Sequence, residues 1–326
     1  MISSHDNIDK QNCLVIDVTY RCNAPCNYCQ WSIHNKIHKS DEPDIHVYIP
    51  KDTIRALNIN RIVFSGGEPL LRQDLLELVR YYDTISSVES IIVITNGILT
   101  SYDRVRDLLV AGVTGFTISL DSLSEISNCS SRNYTHKQFE RVLDNISNLI
   151  QLRESEEFEL GVNTVVSRAN IFDDSIQELL HFCSINQIDW IKFTPIFDDG
   201  YVSQNSPQLL LRSEDSSRIR ELGEISKTFS VKSNSISFWS SLASLLEGRK
   251  LKGSSCGLTT RQGIAIRGKI KFCFWIDFPT YSDTQRSLTD IQVQEIQSQF
   301  DVEKKNCKTG SYCYCLQSLE HRWELE

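Results

Sequence analysis

Apolar positions recur along the chain in two alternating rhythms. Short runs rich in Val, Ile, Leu, Phe and Thr occupy residues 14–19, 61–64, 91–95, 115–120, 160–166 and 190–194 and predict six strands. Between them lie stretches with apolar residues every three or four positions, at 73–82, 102–111, 136–152 and 173–185, each long enough for a crossover helix. This alternation predicts an α/β fold with a parallel sheet, because a parallel neighbour is reached only through a crossover. Right-handed crossovers would curl the units into a partial (β/α)6 barrel or lay them out as a doubly wound sheet, and periodicity does not choose between the two. Past Pro195 the alternation stops. Residues 209–230 and 237–251 predict two amphipathic helices, residues 258–271 a hairpin turning at Gly268, and residues 290–300 a further helix.

The chain has 326 residues, 40% hydrophobic and 23% charged, values of a soluble globular protein with a large core, and one large domain plus a small one is expected. A net charge of −8 without a run of lysine and arginine speaks against a nucleic-acid backbone as partner. The first 12 residues are polar, and no apolar stretch reaches bilayer length, so neither a signal peptide nor a membrane span is expected and the protein is placed in the cytoplasm. Eleven cysteines change the picture. In a reducing compartment clustered cysteines serve as metal ligands more readily than as disulfides, and here they gather towards the two ends.

Cys22, Cys26 and Cys29 follow the first predicted strand with the spacing C-x3-C-x2-C. A closed structural zinc site takes four protein ligands, whereas three thiolates on an iron-sulfur cluster leave one iron free to hold a small molecule. A zinc knuckle completed by His34 or His38 is the competing arrangement for this triad. The spacing resembles the signature of the radical S-adenosylmethionine (SAM) enzymes. In that family a three-cysteine 4Fe-4S cluster binds SAM and cleaves it reductively to a 5'-deoxyadenosyl radical, fed by an external electron donor of flavodoxin or ferredoxin type. The resemblance implies the family's partial barrel and continues strand by strand over residues 14–195. Tyr28 stands where the family places an aromatic residue against adenine. Ser65-Gly66-Gly67-Glu68-Pro69 matches the motif that holds the SAM amino group, which assigns Gly66, Gly67 and Glu68 to it. Thr95-Asn96-Gly97 is similar to the motif lining the floor of the site, or else forms a helix-capping turn. Ser119 and Asp121 match the segment that contacts the ribose, unless Asp121 or Ser122 merely caps the next helix. Arg132, expected in a loop before the helix near His136, corresponds to the arginine that pairs with the SAM carboxylate, although Asn133 replaces the glycine usual beside it. Asn163, a polar residue within an apolar run, is assigned to the SAM ribose or amino-acid end, or else to a satisfied buried amide.

At the other end stand Cys256, Cys273, Cys307, Cys313 and Cys315. The pair Cys256 and Cys273 flanks the predicted hairpin in a C-x11-G-x4-C pattern similar to the opening of the SPASM and Twitch extensions, which hold auxiliary 4Fe-4S clusters. The resemblance implies a core over residues 1–200 and a small α+β auxiliary-cluster extension over residues 201–326. Cys256, Cys273 and Cys315 are the implied ligands, with Cys307 and Cys313 competing for the fourth place and structural zinc as the alternative occupant. Cys13, Cys129 and Cys183 read as packing thiols, and His34, His38 and His46 as solvated loop residues.

Enzymes with such an extension act mostly on ribosomally made peptides, by crosslinking, epimerisation or excision of a fragment, and peptide maturation is the expected activity. The first strand begins near residue 14, so a precursor peptide is expected to need a separate leader-recognition protein or to bind the C-terminal region directly. The alternative is dehydrogenation or epimerisation of an aminocyclitol, sugar or nucleoside in natural-product biosynthesis. A non-catalytic iron-sulfur redox sensor is the third possibility, and the SAM-pocket motifs count against it.

Overall fold

A computed structural model describes residues 12–29, 47–196, 198, 200–249, 262–266 and 269–271, with 292, 294, 295, 298 and 302 described singly. The five cysteines from Cys256 onward, His34, His38, His46, Gly268 and most of the helix expected at 290–300 lie outside the described residues.

The six expected strands are present as β1 (Cys13–Thr19), β2 (Arg61–Gly66), β3 (Ser90–Thr95), β4 (Gly115–Ser119), β5 (Glu159–Val166) and β6 (Trp190–Pro195). Each pairs in parallel with its neighbour in chain order. The crossovers carry α1 (Lys51–Ala56), α2 (Leu75–Asp83), α3 (Tyr102–Ala111), α4 (Glu125–Arg132), α5 (His136–Leu152) and α6 (Ser175–Ile185). Then come a short α7 (Tyr201–Asn205), α8 (Ser216–Ser226) and α9 (Ile236–Leu246). The predicted hairpin is seen as β7 (Gln262–Ile266) and β8 (Lys269–Lys271), antiparallel to each other. It continues the main sheet, β7 lying parallel to β1 on the side away from β2, in the order β6-β5-β4-β3-β2-β1-β7-β8.

Strand alternation sorts the core from the interior of the curl. Leu14, Ile16 and Val18 of β1, Phe64 of β2, Val93 of β3, Ile118 of β4 and Phe193 of β6 are no more than 1% exposed and face the helix layer. The opposite face carries Val15 and Asp17, Val63 and Ser65, Ile92 and Ile94, Thr117 and Ser119, Asn163 and Val165, and Lys192 and Thr194. The sheet curls about that face. Arg61 of β2 reaches Glu159 of β5 with Nη2 at 2.9 and 3.1 Å from its two oxygens. A flat sheet would hold strands three spacings apart at roughly 14 Å. The curl decides for the partial barrel over the doubly wound sheet. Below, the indole of Trp190 lies on Gly161, where a Cβ would come within 2.2 Å of the ring, and its Nε1 donates to Glu159 at 2.6 Å. Trp190, Gly161 and the Arg61–Glu159 pair floor the lumen.

Two expectations on helices need correction. The helix expected from residue 209 starts at Ser216: Leu210 and Arg212 are extended, and Asp215 accepts from the Arg212 amide at 2.8 Å, which halts the helix there. Arg132 is the last residue of α4 and does not stand in a loop. Asn133 ends that helix in the left-handed conformation, φ 55° and ψ 36°, which a glycine would supply and asparagine tolerates. The missing glycine is therefore replaced in kind.

Candidate functional site

Residues 20–29 turn over the carboxyl ends of the strands and are pinned from three sides. From β2, Gly67 N donates to Thr19 O at 2.8 Å and Glu68 N to Arg21 O at 2.7 Å, prolonging the β1–β2 ladder into the cysteine loop. That approach demands glycine: a Cβ on Gly67 would sit 2.1 Å from Arg21 O, and Gly66 has φ +119°. From the end of β3, Asn96 Nδ2 donates to Asn23 Oδ1 at 2.7 Å and approaches Cys22 Sγ at 3.8 Å. From α4, the carbonyls of Ser131 and Ser130 accept from Asn27 N at 2.8 Å and Asn27 Nδ2 at 2.9 Å.

Glu68 is fully buried and turns away from the loop. Its oxygens accept from Leu70 N at 3.1 Å, Thr95 Oγ1 at 2.8 Å and Asn96 N at 2.8 Å. Burial pushes its carboxyl up to about 7 against the pull of these hydrogen bonds. The carboxylate therefore braces the Thr95-Asn96 turn, which leaves the backbone groups of Gly66, Gly67 and Glu68 for the expected contact with the SAM amino group. Asp121, expected at a ribose, is likewise spoken for. It is fully buried, and its oxygens accept from Arg132 Nη2 at 2.8 Å, Val165 N at 2.9 Å, Tyr28 Oη at 3.0 Å and Ser131 Oγ at 2.8 Å. Four donors fill a carboxylate's accepting positions. Nor does Asp121 cap α4, whose N-cap is Ser124. Arg132, expected to meet a SAM carboxylate, ends α4 paired with Asp121, and its buried Nε has no hydrogen-bond partner. Its guanidinium lies 5.9 Å from the centre of the Tyr28 ring.

Ser119 ends β4 beside Asn163 of β5, whose Oδ1 accepts from Thr194 Oγ1 at 3.0 Å. Cys13, Cys129 and Cys183 lie apart from the triad, and none of the six described cysteines is in a disulfide. Sequence reasoning passed over Asp17 and Tyr134, although an acid inside the apolar run Leu14–Thr19 was a signal in plain view.

The donor chemistry of the triad suits a cluster. Burial pushes the Cys22 thiol up to about 11, and pushes Cys26 far above the ordinary thiol range despite the Arg132 charge nearby. Such thiols become thiolates when metal charge compensates them. Among the described residues no three His, Cys, Asp or Glu side chains converge on one ion, as a mononuclear site requires. A 4Fe-4S cluster instead takes each thiolate on a different iron.

An open parallel barrel with a three-thiolate loop at its carboxyl mouth defines a cluster-binding α/β enzyme. The radical SAM superfamily model matches residues 16–183, and the chain belongs to that superfamily. With membership come a 4Fe-4S cluster, SAM and the need for an electron donor. The chain is 25% identical over 311 residues to a GTP 3',8-cyclase of Staphylococcus carnosus, covering 88% of this chain and 86% of that protein. It is 30% identical over 230 residues to a GTP 3',8-cyclase of Clostridium botulinum strain Hall, covering 66% and 67%. Among solved structures, SuiB of Streptococcus suis bound to S-adenosylmethionine superposes with a TM-score of 0.65 at 14% identity, over 95% of this chain and 72% of SuiB. SuiB has also been solved bound to the precursor peptide SuiA. No helix among the described residues is long and apolar enough to cross a membrane.

Proposed function

We propose that this radical SAM enzyme matures a ribosomally made peptide, abstracting hydrogen from one of its residues in the lumen beneath the cysteine loop. The observation carrying this reading is the charge of the lumen. The relatives named GTP 3',8-cyclase raise the possibility of a nucleoside triphosphate, and a triphosphate calls for several free cations. Among the described residues the lumen offers none in surplus: Arg61 is engaged by Glu159, Lys192 already has an interaction of its own, and Asp17 adds a carboxylate. Ser65, Thr117, Ser119, Asn163 and Thr194 share the lumen with the apolar Val15, Val63, Ile92, Ile94 and Val165, a mixed lining that suits a neutral or cationic group with an apolar stem. The likeness to SuiB, at 14% identity, speaks for the fold alone.

In this reading Cys22, Cys26 and Cys29 hold the cluster, which with SAM supplies a carbon radical for hydrogen abstraction. Gly66 and Gly67 bring backbone to the SAM amino group. Tyr28, with its hydroxyl tied to Asp121, presents its ring to adenine, and Ser119 and Asn163 face the ribose. Arg132, steadied by Asp121, keeps the mouth cationic. The curled sheet and its floor exclude water from the reacting carbon. Cys256, Cys273, Cys315 and one of Cys307 and Cys313 hold an auxiliary cluster in an extension over residues 201–326. The antiparallel β7–β8 hairpin between Cys256 and Cys273 supports treating them as a ligand pair.

The test is an anaerobic incubation of reconstituted protein with dithionite and SAM, in which 5'-deoxyadenosine is counted with GTP and with a short peptide encoded beside the gene. Peptide-dependent deoxyadenosine with a changed peptide mass is expected; consumption of GTP would overturn the reading.

A further inference from the structure

We propose that Asp17 anchors the substrate, its carboxylate receiving a protonated amine or an equivalent cationic nitrogen of the group that enters the lumen. The inference rests on the enzyme reading above and adds the chemistry of the group held. Asp17 is 6% exposed. It lies on the lumen face of β1, between Ile16 and Val18, which turn to the helix layer at 1% and 0% exposure. Its register partner on β2 is Ser65. No described side chain or amide answers its charge, and burial alone acts on it, pushing the carboxyl up to about 7.

The contrast with its neighbours is instructive. Glu68 and Asp121 are buried more completely, yet each is met by three or four donors. Those two carboxylates hold the protein together. A buried carboxylate left without donors in a folded protein is costly, and the expense is met when a ligand brings the missing partner. A cationic nitrogen does so and is itself compensated. Phosphate or carboxylate in its place would be repelled.

Position favours the same conclusion. Asp17 stands two residues before Thr19, about 7 Å down the strand from the start of the cysteine loop. An amine seated there puts the carbons next to it between the anchor and the mouth, where hydrogen is taken.

The experiment measures anaerobic binding to the reconstituted full-length chain with SAM present, by saturation-transfer NMR and calorimetry. The probes are N-acetyl-lysine methylamide, its uncharged analogue N-acetyl-norleucine methylamide, and the aminocyclitol 2-deoxystreptamine. Wild type is expected to hold the capped lysine at least tenfold more tightly than the norleucine analogue, Asp17→Asn to erase that preference, and Asp17→Glu to retain part of it. Binding of the aminocyclitol alone, lost in Asp17→Asn, would uphold the anchor and overturn the peptide reading. Equal binding of lysine and norleucine probes to wild type, equal binding of the cations to wild type and Asp17→Asn, or no binding of any probe would overturn the anchor. The lysine-against-norleucine comparison needs no variant, so the test stands even where a substitution disturbs folding.

Discussion

Replacing Asp121 by asparagine changes one charge and almost no volume, and the structure fixes what should follow. Asp121 is 0% and Arg132 5% exposed at the side chain, and they meet at 2.8 Å. Burial works against the Arg132 charge, and the Asp121 carboxylate beside it more than offsets that. With the carboxylate gone, the guanidinium is left buried with its Nε already unpartnered. Breaking one side of a buried ion pair costs about 3–5 kcal/mol. The amide keeps an oxygen for Arg132 and Val165 N, so the loss should fall near the lower end, about 3 kcal/mol, or roughly 6–10 °C in melting temperature. Removing both charges in Asp121→Asn/Arg132→Met should recover at least about 2 kcal/mol of the summed single losses. Anaerobic urea unfolding of the cluster-loaded protein, followed by tryptophan fluorescence, measures all three variants. Single losses that simply add would refute the argument, because they would mean that Arg132 does not depend on Asp121 for its charge.

Gly67→Ala should lower the iron retained after reconstitution several-fold while the strands persist by circular dichroism, since the new methyl meets Arg21 O at the root of the cysteine loop. A variant holding the full complement would show that the loop tolerates displacement. Gly161→Ala should cost about 1–3 kcal/mol by lifting Trp190 from the floor, read as a lowered urea midpoint with altered tryptophan emission. Asp17 supplies a pH test on the protein without substrate. Its folded value is raised to about 7, so its contribution to stability is intact below the ordinary carboxyl range and is lost as pH rises through 7. Asp17→Asn should match wild type near pH 4 and exceed it near pH 8, by on the order of 1.4 kcal/mol for each pH unit of the raised value. An equal difference at both pH values would contradict it.

The parallel sheet could be read from the sequence because each strand is a short apolar run whose helix-facing half is almost wholly aliphatic or aromatic. Helix α4 could not. It turns Ile126 outward at 84% exposure and buries Ser127, Asn128, Ser131 and Arg132, so its pattern is inverted and hydrophobic periodicity fails on it. The cysteine triad and the glycine pair were legible as spacing and as close approach. The directions of Glu68 and Asp121 were not, since a motif names a carboxylate without saying whether it faces a ligand or the protein's own amides. The extra turn of sheet made by β7 and β8 escaped for a similar reason: the hairpin could be read locally, but its pairing with β1 is set by contacts nearly 250 residues apart in sequence, Cys13 against Gln262.

The indole resting on Gly161 closes the barrel from below, and the closure does not stop there. On the same face Val63, Ile92 and Thr117 are 8%, 2% and 3% exposed, so the layers above the tryptophan are sealed as well. A group entering from the mouth would meet the topmost layer first, Asp17, Ser65, Ser119, Asn163 and Thr194. A smaller residue in place of the tryptophan would therefore act at a distance, by letting the sealed layers settle, and would change how a bound group fits rather than how far it reaches.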